Sequence, residues 1–214
     1  MNIGYEVNFA IKLVFLVFFS LTLFVSIVST FVIFLRTETY NHFKGFKKVN
    51  KELRKIKLND GKIYKKLVFY EENSKSFLVD FLVIRSDKVF LLNVYNLCGT
   101  VLGKESDYKW CQVIRKRKFY FVNPLSEMKE YKEKLMSLLK LKETEIEAFP
   151  VLAKENLEIF VPGVLYLEDL PKILLEEKSV TSLEIEEVIS GLKKQSKNSY
   201  KARHKHFVST NKTI

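Results

Sequence analysis

The feature that most limits how this chain can fold is an uncharged stretch from Leu13 to Leu35, bounded by Lys12 and Arg36. The stretch is rich in Phe, Leu, Val and Ile, and a helix of that length is long enough to cross a bilayer with some tilt. A cleaved secretory signal has a shorter apolar region and a small-residue cleavage site, and neither is evident here. The sequence therefore predicts an uncleaved, single-pass membrane anchor over residues 13–35.

The charges beside this stretch predict its orientation. Lys12 is the only basic side chain before it, whereas a run of basic residues follows it: Arg36, Lys44, Lys47, Lys48, Lys51, Arg54 and Lys55. Basic flanks are typical of the cytoplasmic side of a membrane helix. We therefore expect a short extracytoplasmic N-terminus (1–12), a juxtamembrane linker (36–42) and a cytoplasmic C-terminal domain.

The composition of the chain is that of a protein with a packed domain. Of its 214 residues, 47% are hydrophobic and 14% aromatic, which is ample for a core. The formal charge is +11, and since Glu6 and Lys12 cancel, the excess lies after the apolar stretch. Cys98 and Cys111 are too few for a disulfide scaffold and have no histidine partners at zinc-site spacing, so we interpret them as core thiols in a reducing compartment.

The apolar pattern predicts a mixed α/β domain over residues 43–178. Phe46, Val49, Leu53 and Ile56 have helical spacing. The runs 77–84 and 89–95 are nearly continuously apolar and read as a hairpin of strands buried on both faces. Further strands are predicted at 63–70, 108–114, 119–122, 149–152, 157–161 and 164–167. Further helices are predicted from Asn123-Pro124, over 170–177, and in a C-terminal helix within 179–195 that starts at a capping box, 181–184.

Short motifs follow one another in a recognisable order in this domain. They are Gly45-Phe46, Leu78-Val79-Asp80, Asn93-Val94-Tyr95, Gly99, Gly103, Trp110 and Asn123-Pro124-Leu125. In this order and spacing, the chain resembles the nuclease-related domain family from about Phe43 to Leu175. The resemblance implies a restriction-endonuclease-like fold. The expected fold class is therefore α/β, with an N-terminal transmembrane helix followed by a mixed β-sheet domain flanked by helices.

The resemblance also implies where a catalytic site would lie. The family has a helix glutamate, a strand aspartate and a Glu-x-Lys on the adjacent strand; this chain has Phe46, then Asp80, then Asn93 and Tyr95. A family glutamine in the Asn-Pro helix corresponds to Glu127. Because side chains alternate along a strand, positions 93 and 95 share a face, and the hairpin brings them beside Asp80.

The residues at these positions predict a degenerate site. Cutting a phosphodiester with Mg²⁺ needs hard oxygen ligands and a cation beside the attacking water. Asn93 offers a neutral oxygen and Tyr95 a weak hydroxyl, while Phe46 cannot bind metal. Losing one catalytic electrostatic group costs about a hundredfold in rate. We expect no cofactor, or Mg²⁺ if the protein is active; Asp80 is either a weak metal ligand or a buried aspartate bonded to backbone amides.

Two further sets of charged residues are candidates for a functional role. Glu71, Glu72, Lys66 and Lys88 could replace the lost catalytic groups. Two basic clusters are candidate phosphate-binding sites, for DNA or RNA or for anionic lipid headgroups, or else solvated surface. They are Arg115, Lys116, Arg117 and Lys118, and the C-terminal residues Lys193, Lys194, Lys201, Arg203 and Lys205, which lead into and lie in a predicted flexible tail, 196–214.

Three hypotheses about function follow. The favoured one is a membrane-anchored nuclease-related protein with an impaired site that binds nucleic acid or a partner at the cytoplasmic face. The second is an active Mg²⁺-dependent nuclease with relocated catalytic residues. The third is a membrane-associated structural module that makes only protein contacts; its protein partners are not predicted.

Overall fold

The computed structural model describes residues 3–36, 38–58, 61–70, 76–153, 161–176, 184–197 and 202. The chain divides into two compact units, Met1–Phe43 and Lys44–Ile214. The predicted strand at 157–161 and the capping box at 181–184 lie largely outside the described residues.

The first unit contains a long apolar helix, α1 (Ile3–Arg36). Its segment from Lys12 to Val32, 21 residues, is long and apolar enough to cross a membrane, a test that a signal sequence near the N-terminus also passes. At about 1.5 Å per residue this segment is roughly 31 Å long, close to a bilayer's apolar thickness. The hydroxyls of Ser20, Thr22 and Thr30 donate to carbonyls one turn earlier, at 2.8–2.9 Å. They therefore have internal partners, as polar groups in lipid require.

The second unit is a mixed α/β domain, as the sequence predicted. Its helices are α2 (Glu38–Lys55, which begins in the first unit), α3 (Pro124–Leu139), α4 (Leu170–Leu175) and α5 (Ile185–Gln195). Its strands are β1 (Lys62–Tyr70), β2 (Ser76–Ile84), β3 (Val89–Tyr95), β4 (Thr100–Leu102), β5 (Lys109–Ile114), β6 (Arg117–Val122), β7 (Ile146–Leu152), β8 (Leu165–Tyr166) and β9 (Ser196–Lys197).

The main sheet has six strands in the order β8-β7-β3-β2-β1-β9. β1, β2 and β3 form an antiparallel meander, whereas β7 pairs parallel to β3 and β8 parallel to β7. Apolar side chains of α3 and α5 cover one face and those of α2 and α4 cover the other. Because both faces are covered, β2 and β3 are buried almost throughout, as their continuous apolar runs predicted.

A second, three-stranded sheet, β4-β5-β6, lies in the connection between β3 and α3. It packs through Trp110 and Val101 against Leu152 of β7. Trp110 is fully buried, and its indole N–H donates to the carbonyl of Lys104 at 2.9 Å. A Cβ on Gly103 would lie 2.3 Å from the Trp110 ring, so only glycine fits there.

The start of α3 is tied to the same loop by Asn123. Its side-chain oxygen accepts from the Leu125 N–H at 2.9 Å and caps the helix as predicted. Its amide nitrogen donates to the carbonyls of Glu105 and Asp107, at 2.9 and 2.7 Å. The family motifs Gly103, Trp110 and Asn123 therefore form one structural unit that holds the small sheet against α3.

The structure differs from the sequence predictions at the edges of the domain. α2 begins five residues before the predicted start at Phe43, and the predicted strand 164–167 is a two-residue strand followed by a 3₁₀ turn at Leu167–Asp169. The tail was predicted to be flexible from 196, yet Ser196 and Lys197 pair with β1, opposite Phe69 and Val68. β4 and β9 are too short to show a period in the sequence. Cys98 and Cys111, interpreted as core thiols, are only half-buried.

Candidate functional site

The three motif positions meet in the centre of the main sheet. The β2–β3 ladder ends at the pair Phe81 and Leu92, so Asp80 and Asn93 follow directly on adjacent strands. Asp80 is only 3% exposed and Asn93 only 9%. The predicted adjacency of Asp80 and Asn93 is therefore present, but both side chains are buried.

Both side chains are bonded to main-chain groups of the neighbouring strand. A carboxylate oxygen of Asp80 accepts from the Val94 N–H at 2.9 Å, and the Asp80 N–H donates to the Asn93 side-chain oxygen at 2.9 Å. The Asn93 amide nitrogen donates to the Leu78 carbonyl at 3.2 Å. These bonds continue the contact between β2 and β3 beyond the last ladder pair, so the two side chains help to hold the sheet together.

Strand β1 is also irregular where it passes Asp80. Lys66 lies opposite Asp80 in the register, between the pairs Lys65–Phe81 and Leu67–Val79, and has a positive φ of 53°. A positive φ is uncommon for a residue with a long side chain. Its ammonium group lies 4.4 Å from the centre of the Phe46 ring, a cation–π contact. The candidate replacement cation Lys66 is thus directed at an aromatic ring.

Phe46, which the resemblance aligns with the family's helix glutamate, is a core residue. It is 9% exposed and stacks on Phe81 with ring centres 4.4 Å apart. The preceding Gly45 permits this close approach of α2, because a Cβ there would lie 2.6 Å from the Cβ of Asn96. The helix therefore contributes packing where a nuclease would need a carboxylate.

Tyr95, which the resemblance aligns with the family's lysine, belongs to a small polar cluster with α3. Its hydroxyl donates to one carboxylate oxygen of Glu127, and the Tyr131 hydroxyl donates to the other at 3.0 Å. Burial is the largest cause that raises the pKa of Tyr95 well above its usual range, followed by the charge and hydrogen bond of Glu127. Burial and then Glu127 raise the pKa of Tyr131 as well. Both hydroxyls therefore remain protonated donors at neutral pH.

This Tyr95–Glu127–Tyr131 cluster is the part of the site that sequence reasoning missed. Glu127 was noted as a departure from the family with no assigned consequence, and Tyr131 was not considered. Positions 127 and 131 are four residues apart on α3 and so share one face of the helix. That spacing was the available signal, but which strand residue faces it depends on the tertiary fold.

Of the remaining candidate replacements, Lys88 lies away from the motif residues. Lys88 forms an ion pair with Glu147 just before the start of β3. Lys88 is five residues from Asn93, about 17 Å along an extended strand. Glu71 and Glu72 lie outside the described residues.

The donor groups do not fit the Mg²⁺ ion that the resemblance implies. A hard cation of this kind needs several oxygen ligands, usually including one or two carboxylates. One carboxylate oxygen of Asp80 and both polar atoms of the Asn93 side chain are bonded to backbone groups. Tyr95 is a neutral phenol, and both Glu127 oxygens accept from tyrosines. In the described part of the chain, no group of three or more His, Cys, Asp or Glu residues is placed to hold a metal.

An open groove of about 870 Å³ lies on another side of α3 and is lined by Lys104, Lys129, Lys132 and Glu147, among others. None of Phe46, Asp80, Asn93, Tyr95 and Glu127 lines it, so it is not the catalytic site that the resemblance implies.

The predicted phosphate-binding cations are at separate places. Arg115 and Lys116 form the exposed two-residue turn between β5 and β6, and Arg117 and Lys118 are exposed at the start of β6. Lys193 and Lys194 are exposed in the last turn of α5. Lys201, Arg203 and Lys205 lie outside the described residues.

The mixed sheet and the positions of the motif residues define a nuclease-like α/β domain. The family model described as the nuclease-related domain matches residues 41–153 of the chain, which therefore belongs to that family. No curated protein and no solved structure gives a significant match.

Proposed function

We propose that this chain is a membrane-anchored nuclease-related protein that has lost most cleavage activity and binds nucleic acid at the cytoplasmic face. The observation that carries the proposal is the Tyr95–Glu127–Tyr131 cluster. Each oxygen of its only carboxylate accepts from a phenol, and the resemblance aligns Tyr95 and Glu127 with a family cation and a family amide. Asp80 is left as the single family carboxylate and is bonded to the Val94 amide.

The cost to catalysis follows from the missing groups. Removal of one preorganised electrostatic group typically lowers a rate by about a hundredfold or more. This chain lacks the helix carboxylate, the strand carboxylate and the strand cation, which are replaced by Phe46, Asn93 and Tyr95. Contributions of groups that act together do not simply multiply, but the loss of all three leaves little turnover.

The proposed nucleic-acid contacts lie in the C-terminal cations. Lys193 and Lys194 are exposed at the C-terminal end of α5, and further cations follow without an acidic residue after Glu187. Such a segment attracts phosphates through counterion release, which makes its affinity strongly dependent on salt.

Binding and cleavage are tested together on the purified full chain in detergent. We expect DNA or RNA to bind at low salt and to be released at high salt, with no cleavage in Mg²⁺. Lys193→Gln with Lys194→Gln should weaken binding and reduce the slope of log K against log salt by about 1.8 for duplex DNA. The matched control, Lys57→Gln with Lys62→Gln, also removes two exposed lysines and should leave the slope unchanged.

Two results would contradict this proposal. Cleavage that disappears with a chelator and with Asp80→Ala would establish the active nuclease with relocated residues. Absence of binding to either nucleic acid at low salt would favour the structural module that makes only protein contacts.

The anchor and its orientation are tested separately. The full chain should stay in the membrane fraction after alkaline carbonate extraction, and a chain that lacks residues 1–36 should not. In intact cells, a C-terminal tag should be protected from added protease and become accessible after permeabilisation. A tag that is cleaved in intact cells would reverse the proposed orientation.

A further inference from the structure

We infer that the outer face of the β4-β5-β6 sheet, together with the turn at its end, docks on an anionic phospholipid surface. The outer face is defined here as Thr100, Leu102, Lys109, Cys111, Val113, Lys118, Tyr120 and Val122. The inference relies on the proposed membrane anchor only to bring lipid near; the surface itself is argued from its own residues.

The ladder pairs assign residues to the two faces of this small sheet. Leu102 pairs with Cys111, which pairs with Tyr120, so these three side chains form one row across the sheet. The neighbouring rows project to the opposite face, where Val101 and Trp110 are buried against the main domain. The row that contains Tyr120 therefore faces away from the core.

The outer face exposes large apolar side chains. Tyr120 is 66% exposed, Leu102 53% and Val122 48%. Single exposed apolar residues are common, but several on one face of one sheet mark an interaction surface. Within the described residues, the apolar cluster of Val101, Trp110 and Leu152 covers only the inner face of this sheet.

The same hairpin carries positive charge without acidic compensation. Residues 109–122 include Lys109, Arg115, Lys116, Arg117 and Lys118 and contain neither Asp nor Glu. In the described part of the chain, no carboxylate forms an ion pair with these five residues. The surface is therefore complementary to an anionic partner.

The backbone conformation of the turn between β5 and β6 indicates that its positive charge has a role. Arg115 and Lys116 have φ values of 48° and 68°, the left-handed conformation of a two-residue hairpin turn. Asn-Gly or Asp-Gly adopts this turn with less strain, because long side chains disfavour a positive φ. The chain has cations at two positions where the backbone favours other residues, as expected where the charge at the tip has a role.

The aliphatic members of the surface favour lipid over a nucleic acid. Nucleotide bases stack on aromatic rings, and Leu102, Val113 and Val122 offer no ring for stacking. A bilayer interface accepts aliphatic side chains, tyrosine rings and a lysine-rich rim together. The chain also has a helix long and apolar enough to cross a membrane.

The test uses the full chain in nanodiscs, one chain per disc, with hydrogen–deuterium exchange followed over residues 100–122. We expect exchange at 115–122 to be at least about threefold slower in discs that contain phosphatidylserine than in discs of phosphatidylcholine alone, and the difference to shrink at high salt. Each cation near an anionic surface contributes a factor of about five to docking, so removal of four should abolish the difference.

The variants separate the surface from net charge and from folding. Arg115→Asn, Lys116→Gly, Arg117→Gln and Lys118→Gln together remove the charge while installing the favoured turn residues, so the hairpin should fold. Leu102→Thr, Tyr120→Thr and Val122→Thr together remove the apolar row and should also reduce the difference. The control with the exposed residues Lys57, Lys62, Lys140 and Lys172 each changed to Gln has the same net charge as the first variant and should keep the difference.

Three outcomes would overturn the inference. The first is equal hydrogen exchange at 115–122 in both kinds of disc. The second is that the charge control loses the difference between the discs as completely as the first variant does. The third is that a single-stranded oligonucleotide slows this exchange and phosphatidylserine does not, which would identify a stacking surface for nucleic acid. A chain that fails to copurify with discs contradicts the proposed anchor instead. The surface is then tested on the same chain by cosedimentation with vesicles of the two compositions.

Discussion

Alkaline pH should destabilise the domain through the two tyrosines that hold Glu127. The pKa of each hydroxyl is raised in the folded state, first by burial and then by Glu127, whereas in the unfolded chain it is about 10. Ionisation therefore opposes folding. The contribution of each tyrosine is fully present below about pH 10 and is lost as pH rises towards the folded pKa.

The size of the effect follows from this linkage. For a group with an unfolded pKa near 10 and a much higher folded pKa, the free energy of unfolding falls by about 1.4 kcal/mol between pH 8 and pH 11. Two such tyrosines give about 3 kcal/mol, an upper value because both side chains are partly exposed. At pH 8, Tyr95→Phe with Tyr131→Phe should cost about 3–6 kcal/mol, because each hydrogen bond to a charged group contributes about 1.5–3 kcal/mol.

The assay is urea unfolding of the Lys44–Ile214 unit at pH 8 and pH 11. Between pH 8 and pH 11, the free energy of unfolding should fall more for the wild type than for the double phenylalanine variant. The difference in this free energy between the two proteins should therefore be smaller at pH 11. Tyr166, whose pKa is also raised by burial and by nearby acidic residues, is present in both chains and cancels. Tyr108→Phe with Tyr120→Phe removes two exposed hydroxyls and is the matched control. Equal losses in the wild type and the Tyr95/Tyr131 variant would refute the argument.

Three further substitutions test the packing, each read as a change in the midpoint of urea unfolding. Arg85→Ala should lower the free energy of unfolding by about 3–5 kcal/mol, because it removes the guanidinium partner of Asp87, which is 2% exposed. Adding Asp87→Ala should recover part of this loss. An additive loss in the double variant would contradict the reasoning. Gly103→Ala should cost about 1–3 kcal/mol, because its Cβ would displace the Trp110 ring; unchanged stability would contradict the close approach. Gly191→Ala, whose nearest contact is an ordinary 3.5 Å, should stabilise α5 by about 0.5–1 kcal/mol, and a loss would show crowding there.

The central strands could be predicted from the sequence because their apolar runs are long and bounded by turn residues. β2 and β3 lie within one residue of the predicted limits. The helix cap at Asn123 was also predictable, since an Asn-Pro pair signals a helix start. In each case the signal is local, so the tertiary fold was not needed to interpret it.

The contacts of the site could not be predicted in the same way. Whether Tyr95 meets Glu127 depends on how α3 crosses the sheet, and the interval between these residues contains the whole small sheet. The positive φ at Lys66 likewise has no local sequence signal, because it arises where β1 passes the irregular level of Asp80. Pairing between distant segments is set by packing, which the pattern of one segment does not contain.

The departures from the family motif are easier to explain together than one by one. A lysine facing a glutamine would leave a cation beside the strand, available to an attacking water. A tyrosine facing a glutamate keeps a hydrogen bond between β3 and α3, but the charge now lies on the helix residue Glu127 and not on the strand residue. Tyr131 donates to the second carboxylate oxygen of Glu127. Asn93 similarly replaces a metal ligand with an amide that bonds both to Asp80 and to Leu78. The contacts of Tyr95 and Asn93 thus join β2, β3 and α3 at the positions that the resemblance assigns to a cation and a metal ligand, which supports the proposed loss of cleavage.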